Sequence, residues 1–342
     1  MKDHKSSGSP PSRNFITPAL VDNHGREITY LRLAVTPYCN LRCRYCMPDG
    51  PTNFPAKAEQ LNLSEMKRVV NIFAQMGVSK LRLTGGEPLI WQHTPDLMQY
   101  AYDQPGIKSV HLTTNGVHLG ELIPKLVHPK FAGVNISLDS LQTEKYKQIT
   151  QRPMFGKVRE SIDLAVDAGL KVKLNVVVQH GINDDEIISF TELAKTNPID
   201  VRFIEEMPFN GSKVVSRPTS RIDIMSVLNN AYPTFIDSSQ RENTSVNTRP
   251  PGFMGKVGII DGLSRSFCSS CNRVRVTSTG ELKSCLYKKG EINLKLLFET
   301  GFSDHEIKTE INALFQHRSL DGHLSELSRN GDSNTSMSLI GG

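Results

Sequence analysis

Six cysteines stand in two triplets, Cys39, Cys43 and Cys46, then Cys268, Cys271 and Cys285, and the chain has no others. Clustered thiols suit two chemistries: disulfide bonds in an oxidising compartment, or thiolate ligands to a metal in a reducing one. The opening residues, MKDHKSSGSPPSRN, hold no apolar stretch of the kind that precedes secretory cleavage, which argues against disulfides. A triplet is informative in itself, because closed structural zinc takes four ligands. Three thiolates on a four-iron cluster leave one iron open. The second triplet also suits zinc, with a histidine or carboxylate as fourth ligand, and both readings of it stand on spacing alone.

The elements that must position these thiols follow from periodicity. From Tyr30 onward, short apolar β-branched runs alternate with amphipathic runs of helical period, the pattern of repeated strand-helix units on a parallel sheet. Strands are predicted at 30–35, 80–84, 109–113, 133–137, 171–178 and 200–205, with helices between them. Ser64 is placed as the cap of a helix to Met76 that buries Val69, Val70, Phe73 and Met76. A helix over 157–168 turns Ile162, Ala165 and Val166 inward, and Asp184, Asp185 and Glu186 suit the first turn of another, ending near Thr196. A further helix is expected over 221–231. Six units make an α/β fold, a partial or closed barrel over 15–231, after a disordered lead-in of 1–14. Residues 232–265, rich in Pro, Gly, Ser and Asn, read as an irregular bridge. The smaller C-terminal module, 232–342 in all, holds the second triplet, a hairpin turning at Thr279 and Gly280, and a helix over 304–317 capped by Ser303. The stretch from Arg318 is polar and flexible in composition.

The unusual residues fall where predicted strands end: the first cysteine loop, Thr84-Gly85-Gly86-Glu87-Pro88, Thr113-Thr114-Asn115-Gly116, Ser137-Leu138-Asp139-Ser140 and Glu205-Glu206-Met207-Pro208. In parallel barrels the C-terminal strand ends form the active-site face, so five loops are expected to converge on one pocket. Taken singly, each loop reads equally as ordinary turn residues.

The run CNLRCRYC and the following GGEP resemble the cluster loop and second motif of the radical S-adenosylmethionine superfamily. That resemblance implies a four-iron, four-sulfur cluster on Cys39, Cys43 and Cys46, whose open iron chelates S-adenosylmethionine and, once reduced, cleaves it to a 5′-deoxyadenosyl radical. The C-terminal spacing, with Asn272, Arg273, Val274 and Arg275 directly after Cys271 and Gly341-Gly342 at the end, resembles the GTP 3′,8-cyclase family of molybdenum cofactor biosynthesis from about Leu20 onward. It implies a second four-iron cluster on Cys268, Cys271 and Cys285 that binds the guanine of GTP, abstraction of hydrogen from ribose C3′, and attack of C3′ on guanine C8.

By match to the same motifs, Arg32, Arg82, Thr113, Lys173, Arg273, Val274 and Arg275 are expected to contact GTP, with Lys80 adding to an electropositive wall suited to a triphosphate. Tyr45, Gly86, Ser137 and Met207 are expected at S-adenosylmethionine, and Arg273, Arg275, Gly341 and Gly342 to support catalysis. Each has a bland counterpart: solvated strand faces for the basic residues, core packing for Met207 and a frayed end for the glycines. The resemblance further implies a one-electron reductant and a downstream cyclic pyranopterin monophosphate synthase as partners, and a cytoplasmic monomer or homodimer. The net charge of +5 is mild, and no apolar run approaches the ~18 residues of a spanning helix, so neither nucleic acid nor membrane is expected as a partner. The chain departs from the family at Pro37-Tyr38 and at Ile90-Trp91-Gln92-His93, where Trp91 reads as a packing residue. The competing readings are a peptide-modifying radical maturase, which usually carries more cysteines in this module, and a non-catalytic zinc or nucleic-acid-binding module, which leaves the first triplet and GGEP unexplained.

Overall fold

The computed structural model describes residues 19–47, 54–207, 219–233, 240–242, 245–262, 265, 267–327 and 336–341. Six strand-helix units run in order. They are β1 (Tyr30–Ala34) and α1 (Leu63–Gln75), β2 (Lys80–Thr84) and α2 (Thr94–Asp103), β3 (Ser109–Thr114) and α3 (Leu119–Leu126). Next come β4 (Phe131–Ser137) with α4 (Thr143–Thr150) and α5 (Phe155–Asp167), β5 (Val172–Val178) with α6 (Ile187–Thr196), and β6 (Ile199–Glu205) with α7 (Arg221–Ala231). Each predicted strand is present, within two residues of its expected ends.

Strand alternation sorts the side chains. Leu31, Leu33, Leu81, Leu83, Val134, Ile136, Leu174, Val201 and Phe203 are buried against the helices. The intervening positions, Arg32, Arg82, Asn135, Asn175 and Arg202 among them, face the concave side, because successive residues of a strand point to opposite faces. One face is therefore an apolar core and the other a polar lumen.

The bridge expected over 232–265 is corrected by three strands, β7 (Gln240–Glu242), β8 (Ser245–Thr248) and β9 (Val257–Ile260). The last pairs parallel with β6, Arg202 opposite Gly258. Glycine and proline mark the turns here, and the strands between them are too short for periodicity to detect. At the other end β10 (Arg273–Val276) lies parallel to β1, Arg275 opposite Arg32, and turns through Gly280 into β11 (Glu281–Lys283), which pairs with β12 (Ile292–Asn293). Gly280 has φ +84°, as the expected hairpin turn requires. The order β12-β11-β10-β1-β2-β3-β4-β5-β6-β9-β8-β7 does not close on itself, so the fold is a partial barrel.

Local structure corrects three expectations. Asn62, not Ser64, caps α1: its side chain accepts from the Glu65 amide at 3.0 Å while the Glu65 carboxylate accepts from the Asn62 amide at 2.7 Å. The stretch from Arg318 is ordered where described. After α8 (Leu294–Glu299) and α9 (Asp304–Phe315), the latter capped by Ser303 as expected, Arg318 is 4% exposed and α10 (Gly322–Leu327) follows; α11 (Met337–Ile340) precedes Gly341. Val166 is half-buried rather than inward, and Trp91 packs against the core. Among the described residues no helix is long and apolar enough to cross a membrane.

Candidate functional site

The lumen opens into a cavity of about 340 Å³, a size that takes a small organic ligand. One end is built by the first cysteine loop. Backbone bonds hold that loop without any metal: the Arg42 amide donates to Thr150 O at 2.9 Å, that of Arg44 to Ile149 O at 3.1 Å, and those of Cys46 and Met47 to Cys43 O. All three thiols line the cavity. Burial pushes Cys39 up to about 11 and Cys46 up to about 12, with Glu87 adding to the first and Cys39 to the second. Free thiols are therefore neutral here, and a cationic metal group is the partner that would ionise them.

The GGEP turn closes against this loop. The Gly86 amide donates to Thr36 O and that of Glu87 to Tyr38 O, both at 2.7 Å. A Cβ on Gly86 would lie 2.1 Å from Tyr38 O, so only glycine admits this approach. Glu87 accepts from Thr114 Oγ1 at 2.7 Å and from the Asn115 amide at 2.6 Å; burial still raises its carboxyl to about 7. Tyr45 leaves the cysteine loop and donates to Asp139 at 2.8 Å. Burial raises Asp139 to about 6. Ser137 and Met207 line the same end. Asn175 lines the cavity too, and its Oδ1 is buried with no hydrogen-bond partner among the described residues. Such an acceptor fits a ligand that carries a donor.

The other end is basic. Arg32, Lys80, Arg82, Arg202, Arg273 and Arg275 all line it, and Asp139, at the far end, is the one carboxylate among the described lining residues. Arg82 donates through Nε to Tyr30 Oη at 2.6 Å and through Nη1 to Thr113 Oγ1 at 3.0 Å. Lys80 sits over the Tyr30 ring, 4.5 Å from its centroid. Burial lowers Arg32 well below its usual range and Arg275 to about 10, each aided by neighbouring guanidinium groups. Burial with Arg82, Lys80, Lys173 and Arg202 keeps His111 neutral. A polyanion is the ligand that relieves this crowding.

Tyr30 shows the crowding most directly. Burial alone would raise its phenol, but Arg82, Arg32, Lys80 and Arg273 outweigh it and bring the group down to about 7 from 10. Its contribution to stability is therefore fully present above about pH 10 and is lost as pH falls through about 7. An anion bound among the same cations takes their pull away, so binding takes up a proton. Affinity for inorganic triphosphate should fall by up to about tenfold per pH unit above pH 7, beyond any slope from the ligand itself. Calorimetric titration of the parent and of Tyr30→Phe from pH 6.5 to 9 checks this, and equal slopes in the two proteins would refute it.

The second triplet stands beside the cavity rather than in its wall. Its neighbours Phe267, Arg273 and Leu286 line the cavity, and Cys285, like Met207 and Met337, packs against the buried pair Tyr287 and Ile340. Among the described residues no three His, Cys, Asp or Glu side chains converge on one metal-ion position, which a single zinc requires. A multi-iron cluster takes each thiolate on a different iron and does not impose that convergence.

Of the residues expected from sequence, Arg32, Arg82, Thr113, Arg273, Arg275, Tyr45, Gly86, Ser137, Met207 and the first triplet meet in one cavity. Lys173 is paired with Asp200 at 3.0 Å and does not line it. Val274 is wholly buried opposite Leu31, so its side chain points away from the lumen. Gly341 O accepts from Arg275 Nη1 at 3.1 Å. Pro208, Gly342 and the lead-in lie outside the described residues. Sequence reading missed Tyr30, Asn175 and Arg202 in the wall, while Asp139 was expected there only as part of a strand-end loop; strand alternation from Lys173 and from Asp200 was the signal for Asn175 and Arg202.

Residues 33–194 match the family profile described as Radical SAM superfamily, and residues 199–324 match Molybdenum Cofactor Synthesis C. A GTP 3′,8-cyclase of Syntrophomonas wolfei is 41% identical, covering 84% of this chain and 90% of its own. One of Chlorobaculum tepidum is 38% identical, covering 94% of this chain and 97% of its own. Molybdenum cofactor biosynthesis protein 1 of Mus musculus is 38% identical over 86% of this chain but 47% of its own, so this chain spans about half the length of such relatives. Among solved structures, Streptococcus suis SuiB bound to S-adenosylmethionine superposes with a TM-score of 0.60 at 14% identity over 84% of this chain and 69% of that one, a likeness of fold alone.

Proposed function

Because the chain belongs to the radical S-adenosylmethionine superfamily and, within it, to the GTP 3′,8-cyclase family, we propose that it converts GTP to (8S)-3′,8-cyclo-7,8-dihydroguanosine 5′-triphosphate. In this reading it performs the first step of molybdenum cofactor biosynthesis, in the cytoplasm, as a monomer or homodimer. It draws on a one-electron reductant and hands its product to a cyclic pyranopterin monophosphate synthase. The observation that carries the reading is one cavity with three cysteines at one end and six basic side chains at the other.

Cys39, Cys43 and Cys46 would hold one four-iron cluster, and Cys268, Cys271 and Cys285 a second. When bound, the first cluster and S-adenosylmethionine together supply the 5′-deoxyadenosyl radical that takes the hydrogen from ribose C3′. The chain's own residues do the rest by placement. Gly86 brings its backbone to the edge of the cysteine loop, where a larger residue would collide with Tyr38 O. Ser137 and the Asn175 acceptor offer polar contacts to the adenosine portion, and Met207 an apolar wall. Arg32, Arg82, Arg202, Arg273, Arg275 and Lys80 hold the triphosphate, fixing the ribose toward the cysteine end; Thr113 holds Arg82 in place, and Lys173, paired with Asp200 outside the wall, adds only its charge. The Val274 backbone, between Arg273 and Arg275, is its means of contact. The same reading keeps the division into a lead-in of 1–14, a barrel of 15–231 and a C-terminal module of 232–342, and the described strands of the last two share one continuous sheet.

Mass spectrometry of an anaerobic reaction with reconstituted protein, S-adenosylmethionine, dithionite and GTP tests the proposal. Both 5′-deoxyadenosine and a cyclised isomer of GTP are expected. 5′-Deoxyadenosine alone would refute the substrate, and neither product from a preparation with both clusters loaded would refute the cyclase reading.

A further inference from the structure

A buried charge network that no part of the proposed reaction uses lies behind the second triplet. Arg318 is 4% exposed and spends every face of its guanidinium on this region. Nη2 donates to Cys271 Sγ at 3.3 Å and to Arg273 O at 3.1 Å. Nη1 donates to Cys271 O at 2.9 Å and to Asp22 at 3.0 Å, and Nε donates to Ser284 O at 3.1 Å. Asp22, 3% exposed, also takes Arg26 Nε at 2.7 Å. Arg26 in turn donates to Cys268 O at 2.9 Å and to Leu320 O at 2.7 Å. Two arginines and one carboxylate thus clamp the backbone of two of the three cysteines, and one guanidinium reaches a sulfur.

We propose that Arg318 is a positioning residue of the second triplet, which holds the Cys271 sulfur and raises the reduction potential of the metal group carried there, with Asp22 as the opposing charge that limits the rise. The inference rests on the proposed function only in taking that group to be an iron-sulfur cluster. One-electron reduction adds one negative charge to such a group, and a fixed guanidinium within hydrogen-bond reach of a ligand sulfur favours the reduced form. Arg273 adds to the same field.

The test is a redox titration of the reconstituted full chain, followed by electron paramagnetic resonance, with iron counted in every sample. Arg318→Gln should keep its iron and lower the midpoint of the second cluster only. Asp22→Asn should raise that midpoint, and Arg318→Lys, which keeps the charge but not the planar fork, should fall between parent and Arg318→Gln. An unmoved midpoint in fully loaded Arg318→Gln would overturn the proposal. So would iron loss from the second site in Arg318→Gln and Arg318→Lys alike, which marks a purely structural clamp. If Arg318→Gln does not fold, the upward shift in Asp22→Asn decides. A parent chain with no second cluster signal would refute the cluster assignment itself.

Discussion

Replacing Cys43 with alanine should abolish 5′-deoxyadenosine formation and remove about half of the bound iron, while GTP still binds. Cys43 carries the central sulfur of the first loop, yet its backbone is held by bonds that need no metal, its carbonyl accepting from Cys46 at 3.0 Å and Met47 at 2.9 Å. The substitution removes a ligand and leaves the loop. Changing outer partners of a metal ligand costs about 10- to 100-fold, so losing the ligand itself should exceed that range. The basic end is built on β1, β2, β6 and β10, apart from this loop, so affinity for GTP should change less than about threefold. Chromatography of the reaction, iron counting and calorimetry with GTP measure the three quantities; retained 5′-deoxyadenosine formation would contradict the assignment of the loop.

Deleting Gly341 and Gly342 should leave both iron sites loaded and S-adenosylmethionine cleavage measurable, but lower formation of cyclised product by about a hundredfold, the cost of a misplacement near 1 Å. The tail touches both ends of the cavity. Ser336 Oγ donates to Cys46 O at 2.8 Å, and Gly341 O accepts from Arg275 at 3.1 Å. Gly341 has φ +83°, and a Cβ there would lie 2.8 Å from the Ala34 Cβ, so the position demands glycine twice over. Its removal frees Arg275 from the hydrogen bond that ties it to the tail. Undiminished product from the truncated chain would make the tail incidental.

Much of this arrangement was legible because β-branched runs such as Lys171 to Val178 and the cysteine spacing are local signals. Arg318 was not legible. Its partners Asp22, Cys271 and Ser284 are far apart in sequence, and a lone arginine in a polar stretch gives no sign that a fold will bury it. β9 escaped for a related reason: Val257 to Ile260 is short and surrounded by glycine, and only its seat beside β6 makes it a strand. Asp139 was seen as a strand-end residue, but its bond to Tyr45 joins loops that sequence alone does not pair. Val274 shows the converse, since a motif names a position without saying which face of the strand it takes.

The place of β10 beside β1 also dictates an order of assembly. β1 leaves the ribosome well before β10, yet the two share an edge through Tyr30 to Leu33. At ~5–20 residues per second, that edge stays open on the order of ten seconds or more after β2 has emerged. An open parallel edge backed by Leu31 and Leu33 invites pairing with other chains. Nascent chains cut short before Arg273 should therefore aggregate, and chaperone demand in the cell should fall on synthesis of this protein more than on its finished form.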